Sequence, residues 1–424
     1  MSMISRSISP LFPNELWLRV FEFATDVPGI FDTDIRDPFD FPTSLPPHIP
    51  YDRVALQSSW STKRSLVLVC KRWYFLATRY LYAVVLVDNP VVLKTIWNTL
   101  RACQSLSDPT GFWTRRLILG GDLLQDSDPT IRSMTADVIR QLPKLTMFSV
   151  VDHLGANDKL LSDEVIEALI TSAGSSLQQF YFQPDGALLT PSSWKALITG
   201  CPRLRIAFSN ATAICPMDML SAPELDLVCV GKHPCVARHQ QSHTSAHQAY
   251  LAQHGYLSGL HDCLQSRRHF LALHGNHLTT IYLAFSPDSF YAMASSDVLL
   301  QTLKLLSECC PSVLHLILII ENLRFLPLYL AHPFLTHLGI YCNNPNEASD
   351  FYPIGALSRL ESVNMPSLKV VRLLNPLSVA NIQLLSLTSF RLEDHEGHEL
   401  MPRVIQRNLH DVGIGRLSLA PNRF

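Results

Sequence analysis

The chain has 424 residues, 47% of them apolar, and a formal net charge of −2 at pH 7. That length holds two domains or one elongated repeat domain. The near-zero charge excludes a broadly basic nucleic-acid binder and leaves no field to steer charged ligands. The opening "MSMISRSISP" lacks the apolar core of a signal peptide, and the 10 cysteines are scattered without a CxxC pair. They read as reduced thiols of the cytosol or nucleus, most of them filling core positions. The most membrane-like run, "VLHLILIIENLRFLPLYLA", carries Glu321, Asn322, Arg324 and Pro327. It reads as a buried strand followed by a short helix, not as a membrane span.

Residues 1–10 read as a flexible N-terminus. In "LFPNELWLRVFEFA", Leu11 to Ala24, Pro13 suits a first helical turn, and Leu16, Trp17, Val20, Phe21 and Ala24 form an apolar stripe. Leu18 and Phe23 lie off it. A helix of about three turns does not hold itself in water, so it must pack on something. Its expected partner is "SLVLVCKRWYFLATRYLYAVVLVDN", Ser65 to Asn89, where Ser65 is a candidate N-cap. Leu66, Val69, Cys70, Trp73, Leu76, Ala77 and Tyr80 fall on one helical face, and "AVVLVD" then switches to a strand. The two halves are separated by Thr25 to Arg64, rich in proline and aspartate and without sustained periodicity. This insert is expected to be mostly loop. Its Asp26, Asp32, Asp34, Asp37 and Asp40 offer charge to a basic partner.

These residues carry a resemblance. The pairing of "FPNELWLRVFEFA" with "LVLVCKRWYFLA" resembles the F-box of fungal-type F-box proteins, the helical motif through which substrate adaptors join Skp–cullin–RING ubiquitin ligases. The match rests on Pro13, Glu15, Leu16, Val20, Phe21, Val69, Cys70, Lys71 and Trp73. The sequence departs from the family at Phe12, where a leucine is usual, and in the length of the insert at 25–64. The resemblance implies that a module spanning 11–88 docks on a Skp-type adaptor through Pro13, Glu15, Leu16, Val20, Phe21, Val69, Cys70 and Trp73. It covers about the first fifth of the chain.

From residue 89 to 424 a helical segment repeatedly ends at Gly, Pro or Cys-Pro and a short apolar strand follows. The strands are expected at 115–119, 145–151, 177–182, 204–208, 225–230, 278–285, 314–320, 335–341 and 368–374, with "GRLSLA" near Arg416 as a last one. The unit "LSDEVIEALITSAGSSLQQFYF" shows the logic. Ser162 or Asp163 starts a helix with an acidic first turn, Gly174 suits a left-handed C-terminal position, and Leu177, Phe180 and Phe182 give L-x-x-L-x-L spacing. Strand starts recur every 20 to 35 residues or so, the range of strand–helix solenoids. The expected fold is therefore α/β: an N-terminal helical F-box followed by an irregular leucine-rich-repeat-like solenoid with a parallel sheet. The alternative is an ordinary α/β domain. Strand parity turns Gln179, Tyr181, Thr280, Tyr282, His337, Tyr341 and Arg372 to one exposed concave surface, a candidate site for a target protein.

The pattern fails across 231–277, where histidines cluster and a loop followed by a polar helix from about Ser245 to His274 is expected. Cys229, His233, Cys235 and His239 are zinc-ligand types, as are His243 and His247, but their spacing fits no finger or ribbon. "EDHEGHEL", Glu393 to Leu400, differs from HExxH because His395 and His398 are three apart. No GxSxG elbow, Walker loop or dinucleotide fingerprint occurs. The expectation is a non-enzyme without cofactor or metal, nucleic acid or membrane. It would be the substrate-recognition subunit of a Skp–cullin–F-box ligase, cytoplasmic or nuclear. Alternatives are an interaction scaffold with a relic F-box, or a metal-dependent enzyme built on the histidine-rich segment.

Overall fold

The computed structural model describes residues 12–33, 37–40, 53–103, 109–120, 123, 128–151, 161–182, 189–209, 227–230, 248–253, 268, 271–272, 275–276, 278–285, 292–320, 332–342, 365–374, 391–394 and 396–399. Three helices come first: α1 (Asn14–Thr25), α2 (Arg53–Val69) and α3 (Lys71–Ala83). There follow β1 (Val84–Val87), α4 (Pro90–Cys103), β2 (Arg116–Gly120), α5 (Pro129–Arg140), β3 (Met147–Val151), α6 (Asp163–Ala173), β4 (Gln179–Phe182), α7 (Pro191–Gly200) and β5 (Ile206–Ser209). The described chain continues with β6 (Leu227–Val230), β7 (Gln248–Gln253), β8 (Thr280–Phe285), α8 (Ala292–Cys309), β9 (His315–Ile320), β10 (His337–Cys342), β11 (Val370–Leu373) and β12 (Arg391–Glu393).

The twelve strands form one parallel sheet in strict chain order, β1 beside β2 through β11 beside β12. Register partners step along the chain by 21 residues (Leu227 to Gln248) at the shortest and 35 (Thr280 to His315) at the longest. Consecutive order without a switch point is the topology of a leucine-rich-repeat-type solenoid, and it removes the ordinary doubly wound α/β alternative. At the start of β3, β4, β5, β9, β10 and β11 the coil is pinned to the one before by two successive backbone N–H groups donating to one carbonyl, as Gln178 and Gln179 do to Thr146 O, and Leu314 and His315 to Thr279 O.

Alternation along the strands splits the side chains between two cores. Leu117, Phe148, Phe180, Ile281, Leu316, Leu338 and Val371 face the helical layer with Leu169, Trp194 and Leu306. Tyr181, Ile206, Phe208, Tyr282, Ile317 and Ile319 form a second cluster on the other face, hereafter the inner face.

Several expectations are corrected. β1, expected inside the module spanning 11–88, pairs with β2 and is the first strand of the sheet. The insert is not loop throughout: its last stretch, 53–64, belongs to α2, which begins at Arg53 and buries Leu56, Ser59 and Lys63. Nor does one helix run from Ser65 through Tyr80. Cys70 breaks it with extended backbone and caps α3, its sulfur accepting from Trp73 N at 3.5 Å, while the Ser65 hydroxyl donates to Ser61 O. Gly174 is right-handed, with φ −55°. It is glycine because a Cβ would come 2.5 Å from the Gly200 carbonyl of the next coil. The polar helix expected from Ser245 gives way to β7, and β12 has no counterpart among the expected strands. Arg416 and the strand expected there lie outside the described residues. Among the described residues no helix is long and apolar enough to cross a membrane.

Candidate functional site

The N-terminal helices pack as a small head around an aromatic cluster. Trp17 and Trp73 have ring centroids 4.7 Å apart, Phe21 and Trp73 4.9 Å, and Phe12 closes edge-on over Trp17 at 5.7 Å. Arg72 ties α3 to the start of α1, donating to Asn14 Oδ1 and to Phe12 O. Tyr80 Oη donates to Leu18 O at 2.8 Å. The single stripe expected on α1 is in fact two. Phe21 is fully buried and Trp17 half-buried, whereas Phe12, Leu16, Val20 and Phe23 follow helical spacing on the outside at 49, 50, 51 and 83% exposure. Phe23 therefore extends the outer stripe. Leu68, Val69, Tyr74 and Phe75 are also exposed. Of the twelve large exposed hydrophobic residues among those described, nine lie in the head and three in the arc.

The candidate docking residues thus divide. Leu16, Val20 and Val69 present apolar surface, and Pro13 and Glu15 are exposed beside them. Cys70 is an exposed helix cap. Phe21 and Trp73 hold the head together, and Phe21 offers nothing to a partner.

The inner face is not the open surface expected. Gln179, Tyr181, Thr280, Tyr282 and Arg372 are buried, and His337 and Tyr341 are half-buried. The strand parity holds, but residues 27–33 and 37–40 of the insert cover that face. Val27 and Ile30 pack with Leu56, Val84 and Ile118. Arg116 Nη1 donates to Ile30 O at 2.8 Å, and Gln179 Nε2 donates to Asp32 O at 2.7 Å. Further along, Thr280 Oγ1 donates to Asp37 Oδ2 at 2.6 Å, with His315 Nδ1 at 2.6 Å from the same oxygen. Arg372 Nη1 donates to Pro38 O at 2.5 Å and to Phe39 O at 3.1 Å. Arg116, Gln179, Thr280, His315 and His337 share one row of register partners across the sheet, so the segment runs across the strands.

Its far end is held in detail. Asp37 and Asp40 close a tight turn, Asp40 N donating to Asp37 O and Phe39 N to Asp37 Oδ1. Phe39 lies against His315 and His337, with centroids 5.0 and 4.9 Å away. Gly339 adjoins the ring, where a Cβ would stand 2.9 Å from Leu374 Cδ1, 3.1 Å from Ile317 Cγ1 and, in ordinary contact, 3.4 Å from Phe39 Cζ. Arg372 is itself fixed by buried Glu393, Nε at 2.8 Å and Nη2 at 2.6 Å from Oε2, and Arg391 Nη2 reaches the other oxygen at 2.5 Å. Burial alone would raise the Asp37 carboxyl, but hydrogen bonds from His315, Thr280 and the Phe39 N–H outweigh it and hold it below its ordinary range. Burial and the neighbouring His315 push His337 below the usual imidazole value. The phenol of Tyr181 is raised to about 12 by burial.

The remaining candidates are less organised. His233, Cys235, His239, His243 and His247 lie outside the described residues, and Cys229 falls within β6. Near the end of the sheet, Asp394, Glu396 and His398 bring ligand-type atoms within 4.8 Å of one another. They sit in a turn about Gly397 (φ 82°), where Asp394 Oδ1 accepts from the Glu396 and His398 backbone N–H groups. Cys201 and Cys310 are buried, and burial raises both thiols to about 12, which makes them packing residues rather than nucleophiles.

Sequence reasoning missed Asp37, Phe39, His315 and Glu393 as parts of one constellation. The available signal was the run "DPFDF", two aspartates interleaved with aromatics in a stretch otherwise read as solvated.

No protein-family model matches this chain. No curated protein matches it by sequence. Among solved structures, it is similar to the leucine-rich repeat-containing protein LegL7 from Legionella pneumophila, with 10% identity, a TM-score of 0.33, and coverage of 77% of this chain and 89% of that one. It is also similar to a chain of the Rad7 and Elc1 complex in yeast, with 12% identity, a TM-score of 0.29, and coverage of 70% of this chain and 72% of that one.

Proposed function

We propose that this protein is the substrate-receptor subunit of a Skp–cullin–F-box ubiquitin ligase. Its helical head docks on a Skp-type adaptor, and its repeat arc holds a target protein. The observation that carries the reading is the outer apolar stripe of α1, Leu16, Val20 and Phe23, with half-exposed Phe12 just before the helix, on a head whose own core is already filled by Trp17, Phe21 and Trp73. Uncovered apolar surface concentrated on one module marks a contact with another protein. The F-box resemblance of the same helices supports a Skp-type adaptor as that partner.

The chain would do no covalent chemistry. It would raise the concentration of its target near the catalytic subunits, in the cytoplasm or nucleus. The deciding experiment is affinity purification with mass spectrometry under proteasome inhibition. Recovery of a Skp-type adaptor and a cullin by the native chain, and their loss from Leu16→Asp/Val20→Asp, is the expected result. A folded double variant that still recovers the adaptor removes the F-box reading.

A further inference from the structure

We propose that Thr280, His315, His337, Gly339 and Arg372 form a receptor site for a short acidic–aromatic peptide turn of the Asp-Pro-Phe kind, which the chain's own Asp37–Pro38–Phe39 occupies in the free protein. The proposal deepens the reading of the arc as a target receptor and rests on it.

Three observations point to a site as opposed to a strut. The receiving groups come from β8, β9, β10 and β11, which belong to the repeat sheet and are built by its own ladder. Arg372 is aimed and immobilised by Glu393, which Arg391 holds in turn, so the guanidinium is set by the arc and not by the occupant. Each part of the occupant meets a matching group: the carboxylate meets Thr280 and His315, the ring meets two imidazoles beside a residue without a side chain, and two successive carbonyls meet one guanidinium.

The occupant is also self-contained. The turn is closed by Asp37's own backbone and carboxylate, and Pro38 fixes its backbone before binding. A separate peptide with this sequence can adopt the same turn and offer the same contacts. Pre-organisation of both sides lowers the ordering cost of such an exchange. A target carrying an Asp-x-Phe turn would bind by displacing residues 37–40, and a free receptor would keep its site covered.

The test uses a fluorescein-labelled peptide of residues 35–42 and the purified full-length chain, by fluorescence anisotropy. It needs neither adaptor nor ligase, so failure of the docking reading does not touch it. The variant Asp37→Ala/Phe39→Ala empties the site, and circular dichroism establishes that it is folded. Phe39→Ala alone is the second variant. The expected result is that the emptied chain binds the peptide at least ten-fold more tightly than the native chain does. That binding should disappear with a peptide in which Asn and Ala replace the aspartate and phenylalanine of the turn, and with His315→Gln added to the emptied chain. No binding to a folded emptied variant overturns the proposal, as does equal binding to native and emptied chains. If neither variant folds, the segment is an indispensable brace and the proposal falls.

Discussion

Asp37 and His315 are 278 residues apart in the chain, and their side chains meet at 2.6 Å on the inner face of the sheet. The contact is shielded on both sides, by Thr280 on the same carboxylate oxygen and by Phe39 against the imidazole. Replacing Asp37 by Asn keeps the shape and one acceptor oxygen but removes the charge. A hydrogen bond to a charged group contributes about 1.5–3 kcal/mol, so the expected loss is about 1–2 kcal/mol. Urea unfolding of native and Asp37→Asn chains measures it, and an unchanged midpoint would mean that the segment adds nothing to stability.

Acid should loosen the same region in two steps. Facing Asp37 and His337 are Thr280 and Tyr282 from β8, His315 from β9, and Arg372 and Glu393 from β11 and β12. The folded His337 pKa lies below its ordinary 6.5, so the unfolded chain binds the proton more readily. Stability therefore falls as pH drops through and below 6.5, with the penalty complete below the folded value. Asp37, depressed from 3.8, contributes stability above that value and loses it as pH falls through its lower folded pKa. Buried His332 is depressed by burial too, so His337→Gln should remove part of the first step and not all of it. Melting temperatures from pH 7.5 to 5 would show this as a shallower slope in the variant. Parallel slopes would remove His337 as a contributor.

Lys63 is buried on α2, and burial lowers its pKa to about 8 despite the nearby Asp26. At neutral pH the charged amine opposes folding, and stability is regained as pH rises from about 8 toward 10.5. Lys63→Met keeps the stem and removes the charge. A gain of about 2 kcal/mol is expected in urea unfolding at pH 7. A destabilised variant would show that the ammonium is stabilised by a partner.

Gly174 joins two coils. An added Cβ would stand 2.4 Å from Ile170 O and 2.5 Å from Gly200 O, both backbone atoms that cannot swing aside. Gly174→Ala should cost about 1–3 kcal/mol, although alanine is the better residue in a helical conformation. A thermal melt that rises instead would show that the coils can separate at no cost.

The head offers a paired contrast. Trp73→Ala opens the aromatic cluster and should lower stability by about 2–3 kcal/mol. Phe23→Ala removes a side chain that is 83% exposed and should leave the melt within about 0.5 kcal/mol while weakening adaptor recovery. Equal melting losses in both would mean that Phe23 is covered within the chain.

Local pattern made most of the sheet legible. Leu177, Phe180 and Phe182 repeat at strand spacing, and the helix before them carries Ile166 and Leu169 at helical spacing, so both faces of one coil can be read within about 20 residues. The parity of Gln179, Tyr181, Tyr282 and Arg372 was legible for the same reason. What covers them was not. Ile30, Asp32, Asp37, Pro38 and Phe39 reach the sheet through single contacts, with no period, to partners as far as 334 residues away. The early start of α2 was hidden because its buried face includes Ser59 and Lys63. The break at Cys70 was hidden because cysteine is not among the residues expected to cap a helix.

In a solenoid each coil touches only its neighbours, so a growing chain can settle coil by coil as it is made. Residues 27–33 and 37–40 do not follow that order. Arg372, which receives the Pro38 and Phe39 carbonyls, and Glu393, which aims it, are synthesised more than 330 residues after them. Until β11 and β12 exist, Asp37 and Phe39 lack part of their seat while the inner-face residues of β4 and β5 have already emerged. Closure of the inner face is therefore a late event in the life of a nascent chain. A ribosome-stalled product ending before residue 370 would carry an apolar inner surface that the finished protein hides, and that interval is when a chaperone would be needed.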